Sequence, residues 1–344
     1  MRRNAVALIA LAASIVGLIA VPPVRAASLA VRVSGNHFVD GAGRTVVLHG
    51  VNRSGTEYAC QQGWGFFDGP VDNAAIATMV TWKINVVRVP LNEDCWLGIN
   101  GVKPEYGGTA YRNTIKAFVQ RLHDHGLFVI LDLHVAAPGT TPSTDIIKMA
   151  DADHAPAFWR SVANAYKADA GVVFDLYNEP HDITWDCWRN GCTVDGYQAA
   201  GMAQLLSAVR GTGAKNVVII GGIRWSGDPS QWKSHVPADA QHQLGLSIHS
   251  YNFNGCNTST CKNQVKTIAA TYPVVAGEIG EDDCAHSYVD ALMTWLDTLK
   301  ASYLGWTWDA GGGWTCTGGP SLIKDYSGTP TNFGIGLKNH LAAL

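Results

Sequence analysis

The feature that most limits what this chain can fold into is an alternation. Eight apolar runs of strand length are interleaved with stretches of helical periodicity along nearly all of its 344 residues. The runs are 46–51 (VVLHGV), 85–91 (NVVRVPL), 127–135 (LFVILDLHV), 171–179 (GVVFDLYNE), 216–222 (NVVIIGG), 244–251 (LGLSIHSY), 273–279 (PVVAGEI) and 304–309 (LGWTWD). Amphipathic stretches at 71–83, 111–125, 155–168, 196–210, 261–271 and 286–302 separate them, with a weaker one at 229–236 and a last helix at 334–344. Unbroken Val, Ile and Leu, without strict apolar/polar alternation, marks strands covered on both faces. Parallel strands flanked by crossover helices are covered in that way.

Eight β-α units in roughly 300 residues predict an α/β fold, a closed (β/α)8 TIM barrel. A dinucleotide-binding open sheet would need G-x-G-x-x-G after a strand, and none follows any of these. Ahead of the first unit, 30–45 (AVRVSGNHFVDGAGRT) alternates apolar and polar residues around Asp40-Gly41. That pattern predicts an N-terminal β-hairpin plugging the barrel bottom.

Hydrophobic residues make up 47% of the chain and charged ones 15%, with no linker or low-complexity tract, so residues 27–344 are expected to form one domain. The first 26 residues read differently. Arg2 and Arg3 precede an apolar run from Ala5 to Val21, and Val24-Arg25-Ala26 closes the segment. A basic head, an apolar stretch and a small-residue end describe a secretory signal peptide over 1–26. The run, about 17 residues, falls short of the roughly 20 a membrane span needs. Removing it takes the net charge from −3 to −6, which favours neither nucleic acid nor an anionic membrane as partner. The mature chain would be an extracellular monomer.

Eight cysteines in an exported chain imply disulfides. Cys187 with Cys192 and Cys256 with Cys261 are local C-x4-C pairs, a spacing poorly matched to zinc knuckles. Cys60–Cys95 and Cys284–Cys316 are the expected remaining pairs, since each would join βα loops at one end of neighbouring units.

A barrel of this kind places its chemistry at the C-terminal ends of its strands. Polar side chains gather there: Arg88, His134, Asn178 and Glu179, His249 and Tyr251, Glu278, and Trp308 with Asp309. Burying so many polar groups at one end of apolar strands is costly unless they pair or react. Glu179 and Glu278 close strands 4 and 7, which face each other across the mouth of an eight-stranded ring. Two carboxyls about 5 to 5.5 Å apart are what retaining glycoside hydrolysis requires, one as nucleophile and one as acid/base. Arg88 is the cation that would keep the nucleophile ionised.

With these residues the chain resembles the cellulase-type family 5 glycoside hydrolases. "NEP" at 178–180 is similar to that family's acid/base motif, and "GEIGE" at 277–281 to its nucleophile strand. The resemblance implies Glu179 as acid/base, Glu278 as nucleophile and Tyr251 as the nucleophile's hydrogen-bond partner. Asn178 would hold the sugar 2-hydroxyl, and Arg88, His134, His249 and Trp308 would fill the other substrate-binding positions. It implies no metal and no cofactor, and a polysaccharide substrate. Endo-β-1,4-glucanase activity is the first expectation; β-mannanase, xyloglucanase and exo-acting β-glycosidase are the family alternatives. A non-catalytic carbohydrate-binding barrel would lack a carboxylate, and both are present.

Glu281, beside Asp282 and Asp283, reads as part of a solvated acidic loop. Trp64, Trp96, Trp185, Trp188, Trp225, Trp308 and Trp314 fall on the active face, where indoles could carry sugar rings. Roughly half of these are expected to pack loops instead. Trp82, Trp159, Trp232 and Trp295 fit helical core positions.

Overall fold

The structure is a computed structural model that describes residues 29–310, 316 and 319–344; the leader and Trp314 lie outside these. Eight strands close a parallel barrel: His49–Asn52, Val86–Asn92, Phe128–Val135, Val172–Asp175, Val218–Gly221, Leu244–Tyr251, Val274–Gly280 and Ser302–Gly305. The last pairs with the first through Tyr303 and His49. Four of the predicted runs coincide with these strands or contain them, and 46–51, 85–91 and 273–279 overlap theirs but stop one residue short of the strand end. The last run, 304–309, is shifted, because the strand ends at Gly305 and the chain turns inward. Gly50 is required where the first two strands meet, since a Cβ there would lie 1.9 Å from the Val86 carbonyl oxygen.

The barrel bottom is closed by three short antiparallel strands, Val31–Ser34, His37–Asp40 and Thr45–Val46. The expected hairpin is present but has two turns. The first is at Gly35-Asn36, with Gly35 at φ +62°. At the second, the Asp40 carboxylate accepts from the backbone of Ala42 and Arg44, both at 2.9 Å. Val31 and Phe38 from this sheet pack against Leu48, Val86, Phe128, Val173 and Ile219 at the barrel's lower end. The plug is also tied down by hydrogen bonds from Val31 N to Ala170 O (2.9 Å) and from Val33 N to Gln243 Oε1 (2.7 Å).

Helices Asn73–Val80, Thr109–Asp124, Ala155–Tyr166, Met202–Arg210, Ser259–Ala269, Ser287–Thr298 and Asn332–Ala343 form the outer layer, with a single turn at Trp232–His235. Their tryptophans sit as expected. Trp159 and Trp232 are buried and donate to Leu176 O and Ile220 O, each at 2.9 Å. Trp82 is buried too, and Trp295 is half-buried.

At the upper end the loops carry structure of their own. Short helices Glu93–Leu97 and Trp185–Asn190 and a hairpin of Cys192–Val194 with Tyr197–Ala199 were not expected. Residues 196–199, read as the start of a helix, form the turn residue Gly196 and the second arm Tyr197–Ala199 of that hairpin, and the helix begins at Met202 after Gly201. All four disulfides join the expected partners, with Cα–Cα separations between 4.8 and 6.1 Å. Register shifts leave His134 on the third strand and Gly277 on the seventh without a partner in their pairings with the second and sixth strands, and the pairing of the seventh with the eighth shifts again after Ala276. Such bulges re-aim side chains; the first coincides with His134 and the Gly277 bulge directly precedes Glu278.

Candidate active site

Asn178 and Glu179 lie just beyond the fourth strand, on backbone still held by both neighbours. Leu176 N donates to Ile219 O (3.2 Å), Asn178 N to Leu133 O (3.0 Å), and Ser226 Oγ to Asn178 O (2.7 Å). Across the mouth, Glu278 sits inside the seventh strand. The two glutamates and His249 each present an atom within 4.8 Å of the others. Such a gap leaves no room for a water beside a sugar carbon.

Arg88, fully buried, organises one side. Its guanidinium donates to Glu278 Oε1 (2.9 Å), Asn178 Oδ1 (2.9 Å), Asn52 Oδ1 (3.0 Å) and Asp175 Oδ2 (3.1 Å), and pairs with Asp132 Oδ2 at 2.9 Å. Because Asn178 spends its oxygen on Arg88, its NH2 group is left for the cleft side, 3.4 Å from His134 Nε2. Tyr251 donates its hydroxyl to Glu278 Oε2 at 2.5 Å. His249 Nδ1 lies 2.7 Å from Glu179 Oε1 and 3.4 Å from Glu278 Oε2.

One guanidinium faces three buried carboxylates, and the electrostatics follow. Burial raises Asp132 to about 7 and Asp175 well above the usual carboxylate range, against the opposing pull of Arg88. Burial likewise raises Glu179 to about 7, against the lowering influence of His134 and Arg88. His134 falls to about 4 and His249 to about 3, both chiefly through desolvation, so each imidazole is neutral at ordinary pH. Burial also pushes the Tyr251 hydroxyl well above its usual value, keeping it a donor.

A cleft of about 220 Å³ is lined by His134, Asn178, Glu179, Tyr251, Glu278 and Trp306, with Trp225 and Phe253 at its rim. A wider hollow of about 760 Å³ beside 182–194 contains none of the predicted site residues.

Every predicted site residue except one converges here. Trp308 is 1% exposed and packs edge-on against Trp82, with ring centroids 4.8 Å apart. The indole at the cleft is Trp306, stacked on His134 at 5.3 Å and 10°. With the eighth strand ending at Gly305, the first residue beyond it reaches the mouth and the third turns back into the core; the Trp306–Thr307 peptide bond is cis.

Among the other tryptophans, Trp96 and Trp188 are fully buried and Trp185 nearly so, all three packing loops. Trp64 is 48% exposed, and Trp225 is half-buried, stacked at 3.6 Å on His181. Glu281 is not solvated. It is buried and accepts from Val289 N at 2.7 Å, which anchors the helix that follows the seventh strand. Asp132, Asp175 and Asn52 were missed, although the two aspartates were visible as charges inside apolar runs.

A (β/α)8 barrel with paired carboxyls on strands 4 and 7, a buried arginine and an indole at the mouth has the layout of a retaining glycoside hydrolase. The chain belongs to the cellulase family, glycosyl hydrolase family 5, whose model matches residues 39–312. Among curated relatives, an endoglucanase of Clostridium saccharobutylicum is 20% identical over 80% of this chain and 55% of its own length. A mannan endo-1,4-beta-mannosidase of Streptomyces lividans is 24% identical, over 84% of this chain and 68% of its own. The chain therefore spans between about half and two thirds of these relatives. A solved beta-glucanase of Saccharophagus degradans, in complex with cellotetraose, shares the fold with a TM-score of 0.71 at 20% identity, covering 92% of this chain and 94% of that one.

Proposed function

We propose that this chain is a secreted endo-β-1,4-glucanase that works by double displacement with net retention. The observation that carries the reading is the approach of Glu179 and Glu278 to within 4.8 Å, flanked by Arg88 and Tyr251 on one carboxylate and His249 on the other. Glu278, held by the Arg88 guanidinium and the Tyr251 hydroxyl, attacks the anomeric carbon. Glu179, which burial keeps protonated up to about pH 7, gives its proton to the departing glycosidic oxygen. The sugar is then esterified to Glu278. In the second step the Glu179 carboxylate takes a proton from water, the water oxygen bonds to the anomeric carbon, and Glu278 leaves as carboxylate.

Asn178 offers its NH2 group to the 2-hydroxyl, and Trp306 offers an apolar face to the pyranose ring. Two carboxyls and a water complete both steps, without a metal or cofactor.

Glucan is the favoured substrate because of the endoglucanase relatives and the cellotetraose-bound neighbour. The mannosidase relative favours a second reading, mannan. Secretion rests on the basic-apolar leader and on four disulfides, which persist in oxidising compartments. Among the described residues no helix is long and apolar enough to cross a membrane.

Reducing-end release from soluble cellulose, mixed-linkage glucan, glucomannan, xyloglucan and xylan tests the proposal, with Glu278→Ala alongside. Cleavage of a β-1,4-glucan that vanishes in the variant is the expected result. Cleavage confined to a mannan would replace the substrate, and equal activity in the variant would overturn the mechanism.

A further inference from the structure

Among the described residues, a second group of metal-competent side chains lies outside the cleft. Glu93, Asp151 and His154 each offer a ligand atom within 4.8 Å of the other two. Glu93 opens the short helix after the second barrel strand; Asp151 and His154 belong to the connection after the third. Both carboxylates are fully buried, and Glu93 Oε1 and Asp151 Oδ2 receive no hydrogen bond. His154 is the only cationic or potentially cationic partner of either one among the described residues. Two buried carboxylates that are both ionised cost several kcal/mol each, and burial raises both above the usual carboxylate range, so this arrangement calls for a shared proton or a positive charge between them.

The spacing says which kind. His154 Nδ1 stands 3.8 Å from Asp151 Oδ1, 4.0 Å from Glu93 Oε2 and 4.0 Å from Asp153 Oδ1, beyond hydrogen-bond reach of all three. Ligand atoms about 2.1 Å from a tetrahedral ion stand about 3.4 Å from one another, so a small inward movement would close the shell. The Ala137 carbonyl oxygen, 3.4 Å from the same imidazole nitrogen, and the half-exposed Asp153 are within range to complete it. A proton shared between the carboxyls would satisfy only their mutual contact and leave the imidazole with the long contact to the Ala137 carbonyl alone. One nitrogen with two carboxylate oxygens suits Zn2+ or Mn2+ better than Ca2+, which prefers oxygen alone. His154, with 23% of its side chain exposed, provides the way in.

We propose that Glu93, Asp151 and His154 form a structural site for a divalent transition-metal ion, Zn2+ or Mn2+, that ties the second βα loop to the third. The third loop also contributes Ile146 to the wall of the catalytic cleft, so the ion would stiffen that wall without touching the reacting atoms.

The test is calorimetric titration of the whole secreted chain, stripped with a chelator, with ZnCl2, MnCl2 and CaCl2, paired with thermal unfolding. The proposal expects about one equivalent of Zn2+ or Mn2+ and a Tm that climbs with free ion concentration, as binding to the folded state alone requires. His154→Ala, a partly exposed position, should weaken binding roughly tenfold or more, and Glu93→Gln should abolish it. Glu278→Gln, which disables the other acidic grouping, should keep the equivalent. Absence of binding at millimolar ion overturns the site. So does binding that survives Glu93→Gln but is lost in Glu278→Gln. A Glu93→Gln protein with a higher Tm and no response of the wild type to any ion would assign a shared proton instead.

Discussion

The two ends of the barrel are built on opposite principles. At the bottom, the side chains of Val31 and Phe38 lie on an apolar floor of Leu48, Val86, Phe128 and Ile219, and the plug's backbone is tied by neutral hydrogen bonds. At the top, Arg88 is fully buried among Asp132, Asp175 and Glu278, and Asp132 Oδ1 and Asp175 Oδ1 receive no hydrogen bond. The lower end contributes stability through area removed from water, at about 25 cal/mol per Å². The upper end gives some of that stability up to hold charges where water would otherwise solvate them. Folding and chemistry are thus separable along one axis, and mutations should sort by height on it.

The largest expected effect is at the top. Glu278→Ala should lower kcat by roughly four orders of magnitude or more, as loss of a covalent nucleophile does. Arg88 retains Asp132 and Asp175 as partners, so the Tm should move by only a few degrees in a thermal scan. Collapse of both together would break the separation.

Next, Glu179→Gln should cost about 10² to 10⁴ in kcat on glycan substrates. In the wild type, kcat/KM should fall as pH rises through about 7, because the acid that burial has raised to that value loses its proton there. The variant should lack this limb. A raised carboxyl also binds its proton more tightly folded than unfolded. Its contribution to stability is therefore complete below the ordinary value of 4.5 and is lost as pH climbs through about 7, which thermal scans of wild type against variant would resolve.

At the bottom, Phe38→Ala should remove about 3–5 kcal/mol of stability by denaturant titration and leave kcat unchanged wherever the variant is folded. The smallest effect sharpens the comparison within one tripeptide. Trp306→Ala should raise KM roughly two- to tenfold, as loss of a stacking face does, and lower Tm less than deletion of the more deeply buried Trp308. Trp308→Ala, by contrast, should behave like a core deletion, with lowered Tm and normal KM.

Much of this was legible because parallel strands buried on both faces leave unbroken runs of Val, Ile and Leu. The ends of those runs therefore mark where side chains leave the core. Glu179 and Glu278 were found in that way, and their neighbours Arg88, His134, His249 and Tyr251 with them. What escaped depends on chain direction after a strand ends. In "GWTWD" the two indoles are two residues apart, and only the position of Gly305 decides which one reaches the mouth. Asp132 and Asp175 escaped because a charge inside an apolar run looks like an interruption until Arg88 is seen between them. Glu281 reads as surface beside two aspartates, and only its bond to Val289 N reveals an internal acceptor. The hairpin at 192–199 is three residues to an arm, too short to leave a periodic signature.

The order of the four cystine links along the chain carries a consequence for biogenesis. Cys60–Cys95, Cys187–Cys192, Cys256–Cys261 and Cys284–Cys316 follow one another without overlap, each closed before the next begins. A polypeptide threaded through a pore from its amino end would therefore find the correct partner for each thiol by joining consecutive cysteines as they emerge. In an exported chain no link would then have to be broken and remade, so refolding of the reduced protein with an oxidant alone is expected to restore the native connectivity without an isomerase.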